Sequence, residues 1–187
     1  IFEAWIVTMA FAKDKVLPQD LHETIMQMGK SAHKARRVIR SATTKSKNDA
    51  INATASALRR NQNKILDANS EDYAAARSAG MQASLTDRLV LNEDRLEAIA
   101  CGLENIAKLE DPVGRLVDAR KRPNDLRIER IRVPLGVIGI IYEARPNVTA
   151  DASSLCLKAG NATILRGSSE SYFSNLTTMI ALNIITF

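Results

Sequence analysis

The sequence has few cysteines, no long apolar run and no glycine-rich dinucleotide motif, and each absence excludes a class of protein. Two of the 187 residues are cysteine, which excludes a disulfide-stapled scaffold and suits a reducing compartment. No apolar run approaches the roughly 20 residues that cross a bilayer, so we predict no membrane partner and a cytoplasmic protein. Without Gly-x-Gly-x-x-Gly, the ordinary dinucleotide fingerprint does not apply.

The charge is basic and unevenly spread. The chain carries a formal net charge of +5 and an isoelectric point near 9.4. Seven cations follow one another between positions 30 and 47 with no acid between them: Lys30, Lys34, Arg36, Arg37, Arg40, Lys45 and Lys47. A solvated helix face and a phosphate or nucleic-acid patch both fit this run. No aromatic side chain interleaves to stack on single strands, and we predict no nucleic-acid partner.

Helical periodicity fills the first half of the chain. Apolar residues recur at spacings of three and four from Leu21 to Ala42, which predicts one amphipathic helix. A second helix is predicted over 46–68, and a third from a Ser70 cap to a stop at Gly80. Leu96, Ile99, Leu103 and Ile106 define a fourth, which opens at Asn92 and stops at Asp111-Pro112.

After position 112 the helical spacing of apolar residues ends, and the following pattern predicts an exposed hairpin. Segments 117–122 and 126–131 mix apolar and charged residues around the turn sequence Pro123-Asn124-Asp125. A charged ribbon outside a core usually packs against something, and a partner subunit is one candidate.

The remainder predicts an α/β fold with a parallel sheet. A β-branched run at 137–142 indicates a buried strand, a helix follows at 149–159, and Gly160 marks its stop. A second strand is predicted at 162–165, and another helix from about position 170. Strand–helix–strand order favours a parallel, right-handed crossover, the unit of a doubly wound sheet. Ligands collect outside the carboxyl ends of such strands.

Polar residues after the first strand are the leading candidates for chemistry. Asn147 follows Pro146, where its amide could stabilise a developing oxyanion or cap the next helix. Arg145 could bind an acyl phosphate or a cofactor phosphate, or form a structural ion pair with Glu143.

The loop after the second strand is the candidate ligand-binding loop. Gly167 and Ser168 are small enough for a ligand to approach the backbone, and Arg166 and Glu170 flank them. An ordinary loop with a surface arginine is the alternative. Cys101 and Cys156 lie in apolar helical patterns and are predicted to be buried rather than nucleophilic.

The histidines suggest no metal site. His22 and His33 are predicted at the surface of the first helix, with no second ligand nearby in the sequence.

The longest distinctive runs resemble one family. They read VPLGVIGIIYEARPNVT and SLCLKAGNATILRG, with KARRVIRSATTKSKNDAI and LTDRLVL further upstream. They are similar to the gamma-glutamyl phosphate reductases, the proline-pathway branch of the aldehyde dehydrogenase superfamily. The resemblance implies NADPH-dependent reduction of L-glutamate 5-phosphate to the 5-semialdehyde in L-proline biosynthesis. Asn147 would hold the oxyanion, with Arg145 a weaker substrate-binding candidate.

The resemblance also assigns the cofactor loop. Arg166, Gly167, Ser168 and Glu170 would hold the adenosine ribose and 2′-phosphate of NADP, although Ser168 stands where the family usually has a second glycine. The family's nucleophilic cysteine belongs to a separate domain that this sequence lacks, so we predict no activity from this chain alone. An inactive fragment or oligomerisation module, and the reductase half of a bifunctional pyrroline-5-carboxylate synthase, remain as alternatives.

The predicted organisation is an incomplete aldehyde-dehydrogenase-type fold. Residues 1–20 are interpreted as a poorly ordered extension with Met9 as a start, and 21–114 as the helical part of the cofactor-binding domain. Residues 115–133 would be a hairpin oligomerisation arm, and 134–187 the start of the NADP-binding α/β domain. A homo-oligomer is implied, and glutamate 5-kinase is a candidate partner.

Overall fold

The computed structural model describes residues 6–9, 21–181 and 185–186 as a mixed α/β fold. The helices of these residues are α1 Leu21–Arg40, α2 Thr44–Arg60, α3 Gln62–Ser78, α4 Ala83–Leu89, α5 Glu93–Lys108, α6 Asn147–Lys158 and α7 Tyr172–Ala181. The strands are β1 Ile6–Met9, β2 Leu116–Lys121, β3 Arg127–Ile131, β4 Val137–Ile141, β5 Ala162–Arg166 and β6 Ile185–Thr186. None of the described helices is both long enough and apolar enough to span a bilayer.

Four of the strands form a parallel sheet in the order β4-β5-β1-β6. Val137 lies opposite Ala162, so β4, α6 and β5 form the parallel strand–helix–strand unit that the sequence predicts. The prediction that β4 is buried is wrong, because its residues alternate between exposed and half-buried in the described chain. Ile6 lies opposite Thr163, which adds β1 within the segment interpreted as a poorly ordered extension. Its run Ile-Val-Thr-Met has the β-branched composition of a strand. The rest of that segment, 1–5 and 10–20, lies outside the described residues.

One hydrophobic core joins the helical half to the sheet. Ile51 and Leu58 of α2, Leu96 of α5, Leu157 of α6 and Leu165 of β5 belong to a single buried cluster. The predicted stripe of α1 is buried from Met28 onward, whereas Ile25 is exposed. Because α2, α5 and α6 share this core with β5, the helical half and the sheet pack together as one unit.

The second and third helices divide at a different place from the one predicted. The break falls at Asn61, and Ser70 lies within α3 rather than capping a helix. The Asn61 backbone N–H and its side-chain amide both donate to the Ala57 carbonyl, at 3.0 and 2.9 Å. An asparagine side chain that competes for backbone partners in this way ends a helix.

The predicted glycine stop is confirmed at Gly80, where φ is +73°. Its N–H donates to the Arg77 carbonyl at 3.0 Å, and the next N–H, of Met81, donates to Ala76 at 3.1 Å. The short helix α4 begins soon after. The sequence analysis did not predict it, because seven residues are too few to show a period.

The hairpin prediction is confirmed. β2 pairs with β3 in antiparallel fashion, and Asp125 takes the positive φ of 64° that the tight connection needs. Every residue of β3 is exposed. The hairpin also exposes large apolar side chains: Leu116, Val117, Leu126, Ile128 and Ile131. It therefore lies outside the core of the described chain.

Two buried polar residues of α3 hold α4 and α7 in place. The Asp72 carboxylate accepts hydrogen bonds from the backbone N–H groups of Phe173 (3.1 Å) and Ser174 (2.7 Å), and so caps α7 from a distance. Burial raises the pKa of Asp72, against the lowering effect of these bonds. The Asn69 amide donates to the Leu89 carbonyl at 2.8 Å, at the end of α4. Both helices are thereby fixed beside the ends of β4 and β5.

Two buried lysines join α2 to the end of α6. Lys47 is 1% exposed, and its ammonium lies 2.5 Å from the Asp111 carboxylate and 3.1 Å from the Lys158 carbonyl. Lys158 donates to the Ala107 carbonyl at 2.8 Å and to Asn48 at 2.6 Å. Lys47 is the last cation of the predicted solvated run, so that interpretation is wrong at this position. Its charge is matched in the interior instead.

Candidate functional site

The candidate site lies where β4 and β5 end side by side. Because the strands are parallel, their carboxyl ends meet at one edge, and the turns after Ile141 and Arg166 are neighbours there. Pro146 is buried in the first turn, and α6 begins at the next residue. The polar residues singled out in the sequence therefore come from two adjacent turns.

Asn147 is the first residue of α6, two positions earlier than the predicted helix start. Its side-chain amide donates to the Asp151 carboxylate at 3.0 Å, one helical turn on. Pro146 occupies the cap position, and no side chain there bonds to the backbone. The interpretation of Asn147 as a helix cap is therefore wrong. The oxyanion role stays a prediction, with one amide hydrogen donated to Asp151 and the other without a partner among residues 6–9, 21–181 and 185–186.

Asn147 lines a cavity of about 480 Å³ between α4, α5 and the start of α6. The lining residues are Asp87, Arg88, Val90, Leu91, Arg95, Ala98, Ile99, Gly102, Arg145, Asn147 and Asp151. Burial raises the pKa of Asp151, and the bond from Asn147 acts in the opposite direction. Apolar walls with a few converging polar groups are typical of a ligand site.

Arg95 is occupied by structural bonds within this cavity wall. Its guanidinium donates to the carbonyls of Asp87 (2.7 Å) and Val90 (2.8 Å), and it pairs with the Asp87 carboxylate at 3.2 Å. These bonds join the end of α4 to the start of α5. The charges of Arg95 and Asp87 therefore offset each other, and Arg95 is held in a fixed position.

A second cavity, of about 270 Å³, brings together most of the predicted ligand residues. Its lining residues are Met81, Leu85, Arg88, Glu143, Ala144, Arg145, Ser168 and Glu170. Arg166 and Gly167 are not among them. Arg166 is exposed at the end of β5, and its carbonyl accepts a bond from the Tyr142 N–H at 3.0 Å. The predicted loop is thus divided between a cavity wall and the open edge of the sheet.

The alternative of a Glu143–Arg145 ion pair does not hold in the described part of the chain, where the ion pairs include neither residue. Instead, the Arg145 backbone N–H donates to the Glu143 carbonyl at 2.7 Å. Both side chains are exposed. The Arg145 guanidinium remains available to a ligand.

Gly167 is required for packing. A Cβ at this position would clash with the Asn175 amide nitrogen and lie 3.2 Å from the Tyr142 ring. A chain of hydrogen bonds holds these neighbours: Tyr142 to Thr149 (2.6 Å), Thr149 to Asn175 (3.1 Å) and Asn175 to Ser171 (2.9 Å). The network links the end of β4, α6 and α7, so it connects the turn after β4 to the loop after β5.

Ser168 carries an unsatisfied polar atom. Its hydroxyl oxygen is buried and has no hydrogen-bond partner in the described residues, and the residue lines the second cavity. Unpartnered buried hydroxyls are rare in native proteins, because each loses its bonds to water without replacement. The Glu170 carboxylate lines the same cavity. A hydroxyl and a carboxylate together suit a ligand that carries hydroxyl groups, such as a ribose.

Neither cysteine is activated. Cys101 is exposed, contrary to the prediction. Its hydrogen bond to Glu97 is the main cause that raises its pKa. Cys156 is buried as predicted, and burial raises its pKa. A raised pKa keeps a thiol protonated and unreactive at neutral pH. The histidines at 22 and 33 lie at the surface, and the described residues contain no cluster suited to a metal ion.

Two residues of the site escaped the sequence analysis. Arg88 lies on the unpredicted helix α4, and Asp151 was placed on a helix thought to begin at Thr149. The signal for Asp151 was its spacing of four from Asn147, which puts the two on one helix face once the helix starts at position 147. No comparable local signal marks Arg88.

Comparison with known proteins identifies gamma-glutamyl phosphate reductases as relatives of this chain. The gamma-glutamyl phosphate reductase of Paramagnetospirillum magneticum is 51% identical over 163 residues, which are 87% of this chain and 38% of that protein. The protein of the same name from Methylocella silvestris is 53% identical over 152 residues, 81% of this chain and 35% of the relative. No family model matches the chain.

Solved structures agree with the sequence relatives. The gamma-glutamyl phosphate reductase of Thermotoga maritima aligns with a TM-score of 0.83 and 39% identity, covering 87% of this chain and 42% of that one. The Saccharomyces cerevisiae protein of the same name gives 0.81 and 34%, covering 83% and 40%. The chain spans less than half the length of these relatives. By sequence and by fold, it is a relative of the gamma-glutamyl phosphate reductases and corresponds to their N-terminal part.

Proposed function

We propose that this chain forms the cofactor-binding part of an enzyme that reduces L-glutamate 5-phosphate to L-glutamate 5-semialdehyde and phosphate, using NADPH, in L-proline biosynthesis. The observation that carries the proposal is the position of Asn147. It stands at the start of α6, beside the carboxyl end of β4, with its amide held by Asp151 and facing a cavity. The relatives that share this region at about half identity are reductases of the corresponding acyl phosphate by name.

In the proposed reaction, Asn147 acts on the carbonyl oxygen of the substrate. A thiolate from a part of the enzyme outside this sequence attacks the acyl carbon, phosphate leaves, and a thioester remains. NADPH, when bound, would supply the hydride for the second step, in which hydride adds to the thioester carbon and the carbon–sulfur bond then breaks to release the semialdehyde and the thiolate. In both steps the oxygen gains negative charge, and the free N–H of the Asn147 amide donates to it. A fixed donor of this kind stabilises the transition state more than the ground state.

The residues present fit NADP on the adenosine side. The unsatisfied Ser168 hydroxyl and the Glu170 carboxylate suit the ribose hydroxyls. Arg166 stands at the end of β5, exposed, where its forked donors can meet a 2′-phosphate. Arg145 lines both cavities, and we assign it to the substrate.

The function is testable in a chimaera in which residues 21–181 replace the matching part of the Methylocella silvestris protein. We expect phosphate-dependent formation of NADPH from the semialdehyde and NADP, which is the convenient direction because acyl phosphates hydrolyse readily. The 187-residue chain alone should show no turnover, since neither of its cysteines is activated. A folded but inactive chimaera, or turnover by the chain alone that Cys156→Ala abolishes, would contradict the proposal.

Replacing Arg166 with leucine should separate the two nicotinamide cofactors. In the chimaera, Arg166→Leu should weaken NADPH by about 1.5–3 kcal/mol, roughly 10- to 150-fold, with little change for NADH. Only NADPH carries the 2′-phosphate that the guanidinium would contact. Cofactor fluorescence gives the dissociation constants of NADPH and NADH. Arg115→Leu, next to the hairpin, is the control because it removes the same positive charge. Equal losses for the two cofactors would place Arg166 away from that phosphate.

An inactive oligomerisation module is the second candidate function. The observation in its favour is the hairpin, whose apolar side chains are exposed on both strands. In this alternative the hairpin pairs with a second copy, and the same pairing would serve an active homo-oligomer. Two questions remain for a pull-down with the full parent protein. One is whether the parent is the monofunctional reductase or a bifunctional pyrroline-5-carboxylate synthase, and the other is whether it associates with glutamate 5-kinase.

A further inference from the structure

Arg88 and Arg145 are the two residues shared by the lining of both site cavities. Arg88 lies on α4, and Arg145 lies in the turn after β4. Both are exposed, and neither takes part in an ion pair in the part of the chain that the structure describes. Two arginines without carboxylate ion-pair partners among the described residues therefore line both cavities.

The remaining charges of the larger cavity do not compensate for these two arginines. Arg95 and Asp87 pair with each other at 3.2 Å. Asp151 accepts a hydrogen bond from the Asn147 amide, and its single carboxylate offsets at most one of the two arginine charges. The larger cavity therefore holds an excess of positive charge next to Asn147. Glu143 and Glu170 line the smaller cavity, which makes the larger one the better place for an anion.

Arg88 is held in this position by the core. The Asn69 amide donates to the carbonyl of Leu89, the residue next to Arg88, at 2.8 Å, and the Asn69 oxygen accepts from the Leu91 N–H at 2.7 Å. Asn69 is itself 3% exposed on α3. The backbone that carries Arg88 is consequently fixed, although its side chain reaches solvent.

We propose that Arg88 and Arg145 together bind the phosphoryl group of an acyl phosphate whose carbonyl oxygen is held by Asn147. This inference rests on the proposed function and adds the residues that recognise the leaving group. A guanidinium presents a planar pair of donors that matches two phosphoryl oxygens, and two such groups match a dianion. In an acyl phosphate the phosphorus is separated from the carbonyl carbon by one oxygen, so both groups fit a cavity that Asn147 and Arg145 line together.

The arginine pair would also assist the chemistry of the first step. The sulfur–carbon bond forms, the carbon–oxygen bond to phosphate breaks, and the electron pair of that bond leaves with the phosphate. The negative charge of the thiolate is thereby transferred to inorganic phosphate, which departs with increased charge. Two fixed cations at the phosphoryl oxygens stabilise that charge as it develops.

The test is a titration of the complete 187-residue chain with inorganic phosphate, followed by the backbone amide signals in nuclear magnetic resonance. We expect saturable shifts at residues 86–91 and 147–151. Arg88→Gln and Arg145→Gln should each weaken the binding of inorganic phosphate about tenfold or more, because each removes a charge-assisted contact. Arg60→Gln is the matched control, since it removes the same charge from an exposed site at the end of α2 and should change affinity less than about twofold.

Two competing ligands identify the source of the anion. L-glutamate offers carboxylates, and NADP offers cofactor phosphates. Tighter binding of either at residues 86–91 and 147–151 than of inorganic phosphate would overturn the phosphoryl assignment, as would equal weakening by Arg60→Gln or shifts that do not saturate. Arg88→Lys keeps the positive charge but loses the paired donors of the guanidinium. Its affinity for phosphate should therefore lie between those of the wild type and Arg88→Gln. Turnover by the chimaera together with absent phosphate shifts would reject the inference and leave the proposed function standing.

Discussion

Replacing Asn147 with alanine is expected to reduce turnover of the chimaera by roughly two to three orders of magnitude, with cofactor binding nearly unchanged. The amide would matter mainly once negative charge builds on the substrate oxygen, so its loss raises the barrier rather than the cofactor dissociation constant. Single-turnover rates with NADP, phosphate and the semialdehyde measure the effect directly. A loss confined to KM would show that Asn147 binds substrate and transition state equally.

A capping residue provides the control for Asn147. Thr43 is a true cap, whose hydroxyl accepts the Ser46 N–H at 3.1 Å at the start of α2. Thr43→Ala should lose about 1 kcal/mol of unfolding free energy and keep its turnover. If Asn147→Ala behaves like Thr43→Ala, with a lower melting temperature and turnover within a few-fold of the wild type, the oxyanion role is excluded.

Replacing Lys47 with methionine should destabilise the fold by about 3–5 kcal/mol. Methionine has a similar volume, so the loss would come from the Asp111 carboxylate, left almost buried without its counter-ion, and not from a cavity. Lys45→Met is the matched control two residues away. Lys45 pairs with Asp49 at 2.6 Å, but both side chains are mostly exposed, and such pairs contribute roughly 0–1 kcal/mol. Urea denaturation of the three proteins measures the difference.

The same pair predicts a pH dependence. Burial favours the protonated form of Asp111, yet bonds from Lys47, the Val113 N–H and the Thr44 hydroxyl outweigh it and hold the pKa of Asp111 below its ordinary 3.8. A carboxylate with a lowered pKa in the folded state stabilises that state above the ordinary value, and the contribution disappears as pH falls through the lowered one. The gap between wild type and Lys47→Met should therefore narrow below pH 3.8. A constant gap down to pH 2 would mean that the Asp111 charge does not carry the effect.

Local sequence patterns were sufficient to predict most of the helices and strands. They were not sufficient to predict the contacts between segments that are distant in the sequence. The β-branched run before Tyr142 and the stop at Gly160 specify their own structure, because strand propensity and left-handed backbone are local properties. β1 has only four residues and depends on pairing with β5, far along the chain. The break at Asn61 depends on a side-chain bond that competes with the helix, which apolar spacing does not report.

The candidate site shows the same division. Asn147 and the turn at 166–170 could be selected as candidates from the sequence because they directly follow strands, and ligands bind at the ends of parallel strands. Arg88 was not found, since only the packing of α4 against α3 brings it to those strands. The exposure of Cys101 was missed because its apolar neighbours suggested burial. The bonds of Cys101 and Arg59 to Glu97, on the surface, were not readable from spacing alone.

The buried polar ties have a consequence for the order of folding. Asp72 finds its partners 101 and 102 residues later, and Lys47 finds the Lys158 carbonyl 111 residues later. During synthesis the helical half leaves the ribosome first, at roughly 5–20 residues per second, while these groups are still hydrated. α1 to α5 can collapse in the meantime, but the Asp72 carboxylate stays solvated until α7 appears. The helical half therefore reaches its final packing only when α7 has been synthesised. Completion of the fold is thus a late and cooperative event.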